Sequence, residues 1–325
     1  MKNLACSFLY KKRTPKIAFQ YCCYFFLHLN LERPILCIIN SFLKADGMEG
    51  VDRFSMNSPL LHYVVLSFVQ AATEFLPISS SGHLLFFKGL FNSPRIPIIF
   101  DVVVHVGSLM AIVVFYSKRI GATFKNAWSE FVERREEKND LNFLFYIALS
   151  TVVTFIFYVI LKNPIEAGYQ SPSILFVTYL VTTVLLFSTY FAGKKDKSEI
   201  AKKSILLPVV VGLLQGFAIL PGISRSGSTI SPLLLMGVRR EEAAYYSFFL
   251  AIPAILGALI FKLLDTENLG FLVDQWGMVV LCFGVSMVFS YLFLAILRFI
   301  LRRGKFWLFS AYTLVLAVVS LIIFQ

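Results

Sequence analysis

The chain has 325 residues, of which 58% are hydrophobic, 16% aromatic and 15% charged, with mean hydropathy +0.75 and a formal net charge of +11. A soluble domain usually carries about 25% charged residues, and 34 Phe residues cannot be hidden in so small a water-soluble body without large apolar patches. Disorder, a collagen-like fibre and a small disulfide scaffold are excluded, and a polytopic helical membrane protein is the natural class. The positive charge fits basic cytoplasmic loops better than nucleic-acid binding, because Lys and Arg fall between apolar runs.

Residues 1–57 differ in kind from the rest. Four of the five cysteines (Cys6, Cys22, Cys23, Cys37) lie here, without the spacing of a disulfide framework or a zinc site. The apolar stretch from Ile17 to Leu43 is interrupted by His28, Asn30, Glu32, Arg33 and Pro34. It is too broken for a span and too long for a simple signal peptide. This segment reads as an extension outside the core, with Met48 or Met56 as an alternative start, and residues 58–325 as the membrane domain.

From Pro97 onward six runs are long enough to cross a bilayer, near 97–117, 143–162, 173–192, 241–262, 277–300 and 306–324. Their connections alternate in charge. One side receives 118–142, 193–204, the pair Arg239–Arg240 and 301–305, all rich in Lys or Arg; the other receives 163–172 and 263–276, which hold none. The positive-inside rule makes the first side cytoplasmic. Within 118–142, the run EFVERREEKND (130–140) reads as a solvated loop.

Two apolar segments, 59–92 and 204–238, are each broken near the middle, by LPISSSGH (76–83) and LPGISRSGST (220–229). Irregular backbone at membrane depth is tolerated only where protein buries it or it lines a wet cavity. At an offset of 145 residues Gln70 falls on Gln215, Ile78 on Ile223, Ser79 on Ser224, Ser81 on Ser226 and Gly82 on Gly227. Three spans follow each copy, so the second is inserted upside down and the tips meet near the midplane. The expected fold is therefore all-α: about six transmembrane helices plus two re-entrant helical hairpins in an inverted repeat, with halves at about 58–192 and 204–325.

The copies differ where chemistry would need it: Glu74 faces Ile219, Ser80 faces Arg225 and His83 faces Ser228. Ser224–Thr229 opens a helix whose free N–H groups and dipole favour an anion. Arg225 adds a planar fork suited to phosphate, and Ser224, Ser226 and Thr229 add hydroxyl donors. The alternative is a polar helix cap with Arg225 paired to a carboxylate. Ser80 and His83, three apart on a first turn, suit nucleophilic attack on phosphorus with the imidazole or Glu74 moving protons. Gln70 and Glu74, four apart on one face, offer oxygens to a divalent cation, although Gln70 fits an interhelical hydrogen bond equally well. Asp101 and His105 are supporting groups that orient Arg225 or His83, or a polar interhelical pair.

At these residues the sequence resembles the undecaprenyl-diphosphate phosphatases associated with bacitracin resistance. One signature appears as QAATEFLPISSSGH (70–83), a second as PGISRSGSTISP (221–232), followed by REEAAYYSFFLAIPAILGA (240–258). The resemblance runs from about residue 58 to the C-terminus. It implies an integral membrane hydrolase of the bacterial plasma (inner) membrane. The enzyme would remove the terminal phosphate of undecaprenyl diphosphate and so recycle the carrier lipid for envelope polymers. By motif position it implies Ser80, His83 and Glu74 as catalytic, Arg225, Ser224, Ser226, Thr229 and Ser79 as substrate-binding, and Glu74 with Gln70 as ligands of Mg or Ca. Gln70 replaces the Glu of some members, which weakens a two-carboxylate metal site, and Asp101 stands where some have Glu. The partners are the polyprenyl diphosphate lipid and the membrane, with no nucleic acid; a homo-oligomer is compatible. A transporter or flippase of a phosphorylated polyprenyl lipid is the competing reading, because broken helices in inverted repeats typify carriers. A carrier needs anion donors but no nucleophile.

Overall fold

The structure, a computed structural model, describes residues 59–91, 98–192, 200, 204–263 and 266–324. The expectations for residues 1–57 lie outside the described residues. Among the described residues twelve α-helices run in order: α1 (Pro59–Phe75), α2 (Ser80–Phe91), α3 (Ile98–Phe115), α4 (Ser117–Val132), α5 (Asn139–Gln170), α6 (Leu175–Ser188), α7 (Leu206–Phe217), α8 (Arg225–Leu235), α9 (Arg240–Leu263), α10 (Thr266–Asp274), α11 (Trp276–Arg302) and α12 (Phe309–Phe324). Five segments among the described residues are long and apolar enough to cross a bilayer: Asn139–Asn163, Pro172–Phe191, Arg240–Ile260, Trp276–Arg302 and Phe306–Phe324. The bent pair α3 and α4, which meet at 70°, makes a sixth when taken as one broken span. Ile160 and Ile322 are 70% and 75% exposed, an arrangement that is stable only where hydrocarbon rather than water covers such side chains. The protein is a multi-pass membrane protein.

The helix contacts carry the internal symmetry. α1 packs on α11 while α7 packs on α5; α3 packs on α9, and α6 on α12. The 145-residue offset takes α1 to α7 and α3 to α9, and the order of the helices that follow pairs α5 with α11 and α6 with α12. The first two contacts then exchange and the last two map onto themselves, as an internal two-fold axis requires. Each half holds three spans, so the halves point in opposite directions across the membrane. Small polar side chains close the helix interfaces, where apolar burial gains nothing relative to lipid. Ser108 lies 3.2 Å from Ser286 and 2.8 Å from Ser290 between α3 and α11, and Thr183 lies 2.8 Å from Thr313 between α6 and α12.

The short apolar pairs α1–α2 and α7–α8 are the re-entrant hairpins. Pro77 and Pro221 sit in the breaks, where their missing N–H groups cannot continue a helix. At the first tip the Ile78 N–H donates back to Leu76 O (2.7 Å) and Ser79 takes a left-handed φ of 68°, a conformation rare for a residue with a Cβ. The same residue starts α2: Ser79 Oγ accepts from Gly82 N–H (3.2 Å), as Ser224 Oγ accepts from Gly227 N–H (3.1 Å) to cap α8. Ser79 and Ser224 are repeat equivalents, as are Gly82 and Gly227.

The segment 130–140 is exposed from Phe131 to Lys138 and non-helical from Glu133, as a solvated loop requires, but its first residue departs from that reading. Residues 117–132 form α4, and Glu130 is buried, its carboxylate accepting from Asp140 N–H (3.2 Å) and Leu141 N–H (2.9 Å). A carboxylate at the N-terminus of α5 meets both the orphan amides and the positive end of the helix dipole. Phe124, Trp128, Phe131 and Val132 of α4 are exposed along one face, the pattern of a helix lying in the membrane interface.

Candidate active site

Residues from both hairpin tips, with α3 beside them, converge on one carboxylate. Glu74, at the end of α1, is 4% exposed at its side chain. Its Oε2 accepts from Ser80 Oγ (2.6 Å) and from Gln70 Nε2 (2.6 Å), and its Oε1 accepts from the Arg225 guanidinium. Ser80 and Arg225 are the first residues of α2 and α8, so two repeat-equivalent side chains reach the same group from opposite halves. The positive ends of both helices face it. An Arg at membrane depth costs roughly 2.5–3.5 kcal/mol even on the lenient insertion scale, and the pairing with Glu74 supplies the compensating charge.

The tips touch through backbone. Ser79 Oγ also accepts from Gly222 N–H (3.1 Å), joining the first tip to the second. Gly222 adopts φ +94°, and a Cβ there would lie 2.0 Å from Thr178 Oγ1; a Cβ on Gly82 would lie 2.8 Å from Gly222 Cα. Only glycine allows that approach. Thr182 of α6 holds the second tip from behind, donating to Gly222 O (2.9 Å) and accepting from Ser224 N–H (3.1 Å).

The remaining candidates divide between open and engaged groups. Ser224 Oγ caps α8 and lies 3.3 Å from Ser226 Oγ. Thr229 Oγ1 donates to Arg225 O (2.9 Å) and meets Ser247 Oγ at 2.6 Å on α9. Both are buried. Ser226 Oγ, also buried, makes two long contacts, the one with Ser224 Oγ and a bond to Leu76 O (3.4 Å) across the tips. His83 is not beside Ser80. Its Nδ1–H donates to Ser79 O (2.7 Å), and its Nε2 meets Tyr312 Oη (2.9 Å) with the two rings parallel. Tyr179 closes the other side at 3.4 Å.

The imidazole that reaches the carboxylate belongs to His105, with Nε2 3.4 Å from Glu74 Oε2 and Nδ1–H donating to Asp101 O (2.5 Å). With Nδ1–H committed to a carbonyl, Nε2 donates to Glu74 only as the imidazolium. The Asp101–His105 spacing showed a polar face on α3 but not that it would turn toward Glu74. Tyr179, Thr182 and Tyr312 had no local signal in the sequence.

For a divalent cation the fit is partial. Gln70 Oε1 is buried without a hydrogen-bond partner among the described residues and lies on the face of α1 that carries Glu74. Glu74, Gln70 and Ser80 give an oxygen-only set suited to hard ions such as Mg or Ca. Among the described residues no group of three His, Cys, Asp or Glu is placed to hold a metal. An ion at this site would therefore depend on oxygens of the substrate and water.

Residues 63–319 match the family described as bacitracin resistance protein BacA. The chain belongs to the BacA family. It is 37% identical over 258 residues to an undecaprenyl-diphosphatase of Alcanivorax borkumensis, covering 79% of this chain and 96% of that protein. It is 37% identical over 266 residues to one of Thermosipho melanesiensis, covering 80% and 98%. An undecaprenyl-diphosphatase of Methanosphaera stadtmanae is 33% identical over 277 residues, covering 81% and 98%. The BacA match begins within α1 and ends within α12, so the site, from Gln70 to Tyr312, lies wholly inside it.

Proposed function

We propose that this BacA protein hydrolyses undecaprenyl diphosphate to undecaprenyl phosphate and inorganic phosphate, recycling the carrier lipid for cell-envelope synthesis. The observation that carries the reading is the meeting of Ser80 and Arg225 on Glu74, a nucleophile, an anion clamp and a base at two helix N-termini. The names of the relatives supply the substrate. The polyprenyl chain lies among the spans and the diphosphate enters at the tips.

In the resting site the Arg225 fork neutralises Glu74. An entering diphosphate carries more negative charge than the carboxylate and presents oxygens that match the fork bidentately. Arg225 transfers to it, joined by Ser226 Oγ and the free N–H groups of the first turn of α8. Ser224 and Thr229 hold that turn in place, and Ser79 locks it to the first tip. Glu74, released from Arg225, accepts the proton of Ser80 Oγ or of a water that Ser80 orients, as the new O–P bond forms at the terminal phosphorus. The P–O bond to undecaprenyl phosphate breaks and that anion leaves, its developing charge met by Arg225 and the helix N-termini. If Ser80 is itself phosphorylated, the proton held by Glu74 first passes to solvent; the freed carboxylate then takes a proton from the water that attacks the phosphoserine and returns it to Ser80 Oγ as the Oγ–P bond breaks. His83 fixes the tip through Ser79 O and Tyr312. Glu74 and Gln70 would hold Mg or Ca together with the diphosphate, where the ion would neutralise phosphoryl oxygens.

The protein sits in the plasma membrane with the basic connections on the cytoplasmic side. The test is phosphate release from undecaprenyl diphosphate by purified protein, with and without EDTA, for wild type, Ser80→Ala and Arg225→Ala. Release that is abolished by EDTA and by both variants supports the hydrolase. Absence of release by folded wild type with Mg or Ca, or undiminished release by Ser80→Ala, would overturn it. A carrier would keep moving lipid without the Ser80 hydroxyl.

A further inference from the structure

At the basic end of the bundle, four helices enclose a cavity of about 170 Å³, lined by Phe115, Tyr116, Lys118, Arg119, Arg240, Glu241, Ala244, Arg298 and Leu301. It is separate from the active site. His105, which touches Glu74, and Phe115, which lines the cavity, are ten residues apart on α3, about 15 Å at 1.5 Å per residue.

The lining holds four cations and one carboxylate. That carboxylate, Glu241, accepts from Arg302 Nε (2.5 Å), and Arg119 donates to Glu242 (2.5 Å) while stacking on Tyr245 at 3.9 Å. Lys118, Arg240 and Arg298 have no carboxylate within 4.0 Å among the described residues. Arg240 donates only to Arg302 O at 3.5 Å, and Arg298 lies 5.9 Å from the Phe115 ring. Basic residues at span ends are ordinary in membrane proteins. These three come from α4, α9 and α11 and line one recess, with Lys118 and Arg298 exposed and Arg240 half-buried, so a phosphate entering from water meets three positive charges from three separate helices at one place. Phe115, Ala244 and Leu301 supply an apolar wall beside them. Basic recesses between spans are suited to lipid head groups.

We infer that this recess is a phosphate-binding site distinct from the active site, taking a phosphate group carried by an anionic lipid or free in solution. Lys118, Arg240 and Arg298 bind the phosphate oxygens, and the apolar wall takes the first carbons of an attached chain. The inference goes beyond the proposed hydrolysis and its readout does not require turnover.

The test uses the full chain in dodecyl maltoside, wild type against Lys118→Gln/Arg298→Gln. The probes are phosphatidylglycerol against phosphatidylcholine, and inorganic phosphate against chloride at matched ionic strength. Melting temperature and bound-lipid occupancy by native mass spectrometry are read. Phosphatidylglycerol should raise the melting temperature of the wild type and be retained by it, and the double variant should bind it at least tenfold more weakly. Phosphate release from undecaprenyl diphosphate should stay within twofold. Stabilisation by inorganic phosphate alone, lost in the double variant, assigns the site to the free anion. Equal binding of both probes by wild type and variant, or binding of neither, overturns the inference. If the double variant does not accumulate, Arg298→Gln is compared with Arg298→Lys: loss in the first and retention in the second supports the site, and equal binding in both overturns it.

Discussion

Replacing Glu74 by Gln keeps the shape of the side chain and removes its charge, and the consequences separate into two measurable parts. Arg225 is 19% exposed at its side chain and Glu74 4%, so the variant leaves a largely buried guanidinium uncompensated. Breaking one side of a buried pair typically costs about 3–5 kcal/mol. The second part is kinetic: Ser80 loses the acceptor that holds its hydroxyl at 2.6 Å, and loss of a positioned base typically costs about 10²–10⁴-fold in rate. The two parts are distinguished by adding Arg225→Met, which removes the stranded charge. The double variant should regain most of the melting temperature lost in Glu74→Gln while remaining inactive. Phosphate release from undecaprenyl diphosphate and thermal unfolding in the same detergent give both readouts. Glu74→Gln turning over within tenfold of wild type would refute the carboxylate as base and resting partner of Arg225.

Arg225→Lys keeps the charge but loses the fork, and should lower phosphate release by roughly 10²-fold, the scale of losing one donor to a developing oxyanion; near-normal turnover would remove the clamp role. Gly222→Ala should destabilise the protein and reduce activity together, since the new Cβ lies 2.0 Å from Thr178 Oγ1 at φ +94°. Thermal unfolding should show a loss of about 1–3 kcal/mol from the backbone strain alone. Tyr312→Phe leaves His83 Nε2 without its hydroxyl neighbour at 2.9 Å, which should cost about 1–3 kcal/mol of stability with a smaller effect on turnover than Ser80→Ala; the reverse ranking would place His83 in the chemistry.

Much of this architecture was legible in the sequence because membrane helices advertise themselves. Six apolar runs and alternating loop charge set the spans, and the matched breaks at 76–83 and 220–229 set the hairpins. The 145-residue offset aligned Ser79 with Ser224 and Gly82 with Gly227, and the two helix caps show the same pairs bonded in the same way. The limit of such reading appears at the two histidines. Helical spacing put His83 on the face of Ser80, yet its ring turns to Tyr312, 229 residues away in sequence, while His105 of another helix reaches Glu74. Spacing along one helix fixes a face; which neighbour occupies that face depends on the packing of distant segments. Glu130 was hidden for a related reason. In a run of charges nothing marked the one carboxylate that the start of α5 would bury.

The contact of Ser79 with Gly222 and the pairing of Glu74 with Arg225 make the site a property of both halves together. One half carries the acid and the hydroxyl, and the other carries the guanidinium at the position equivalent to Ser80. Neither half retains a complete site of its own. Halves expressed as separate polypeptides would each be silent, and any activity they recover on mixing would report how faithfully the two-fold interface reassembles.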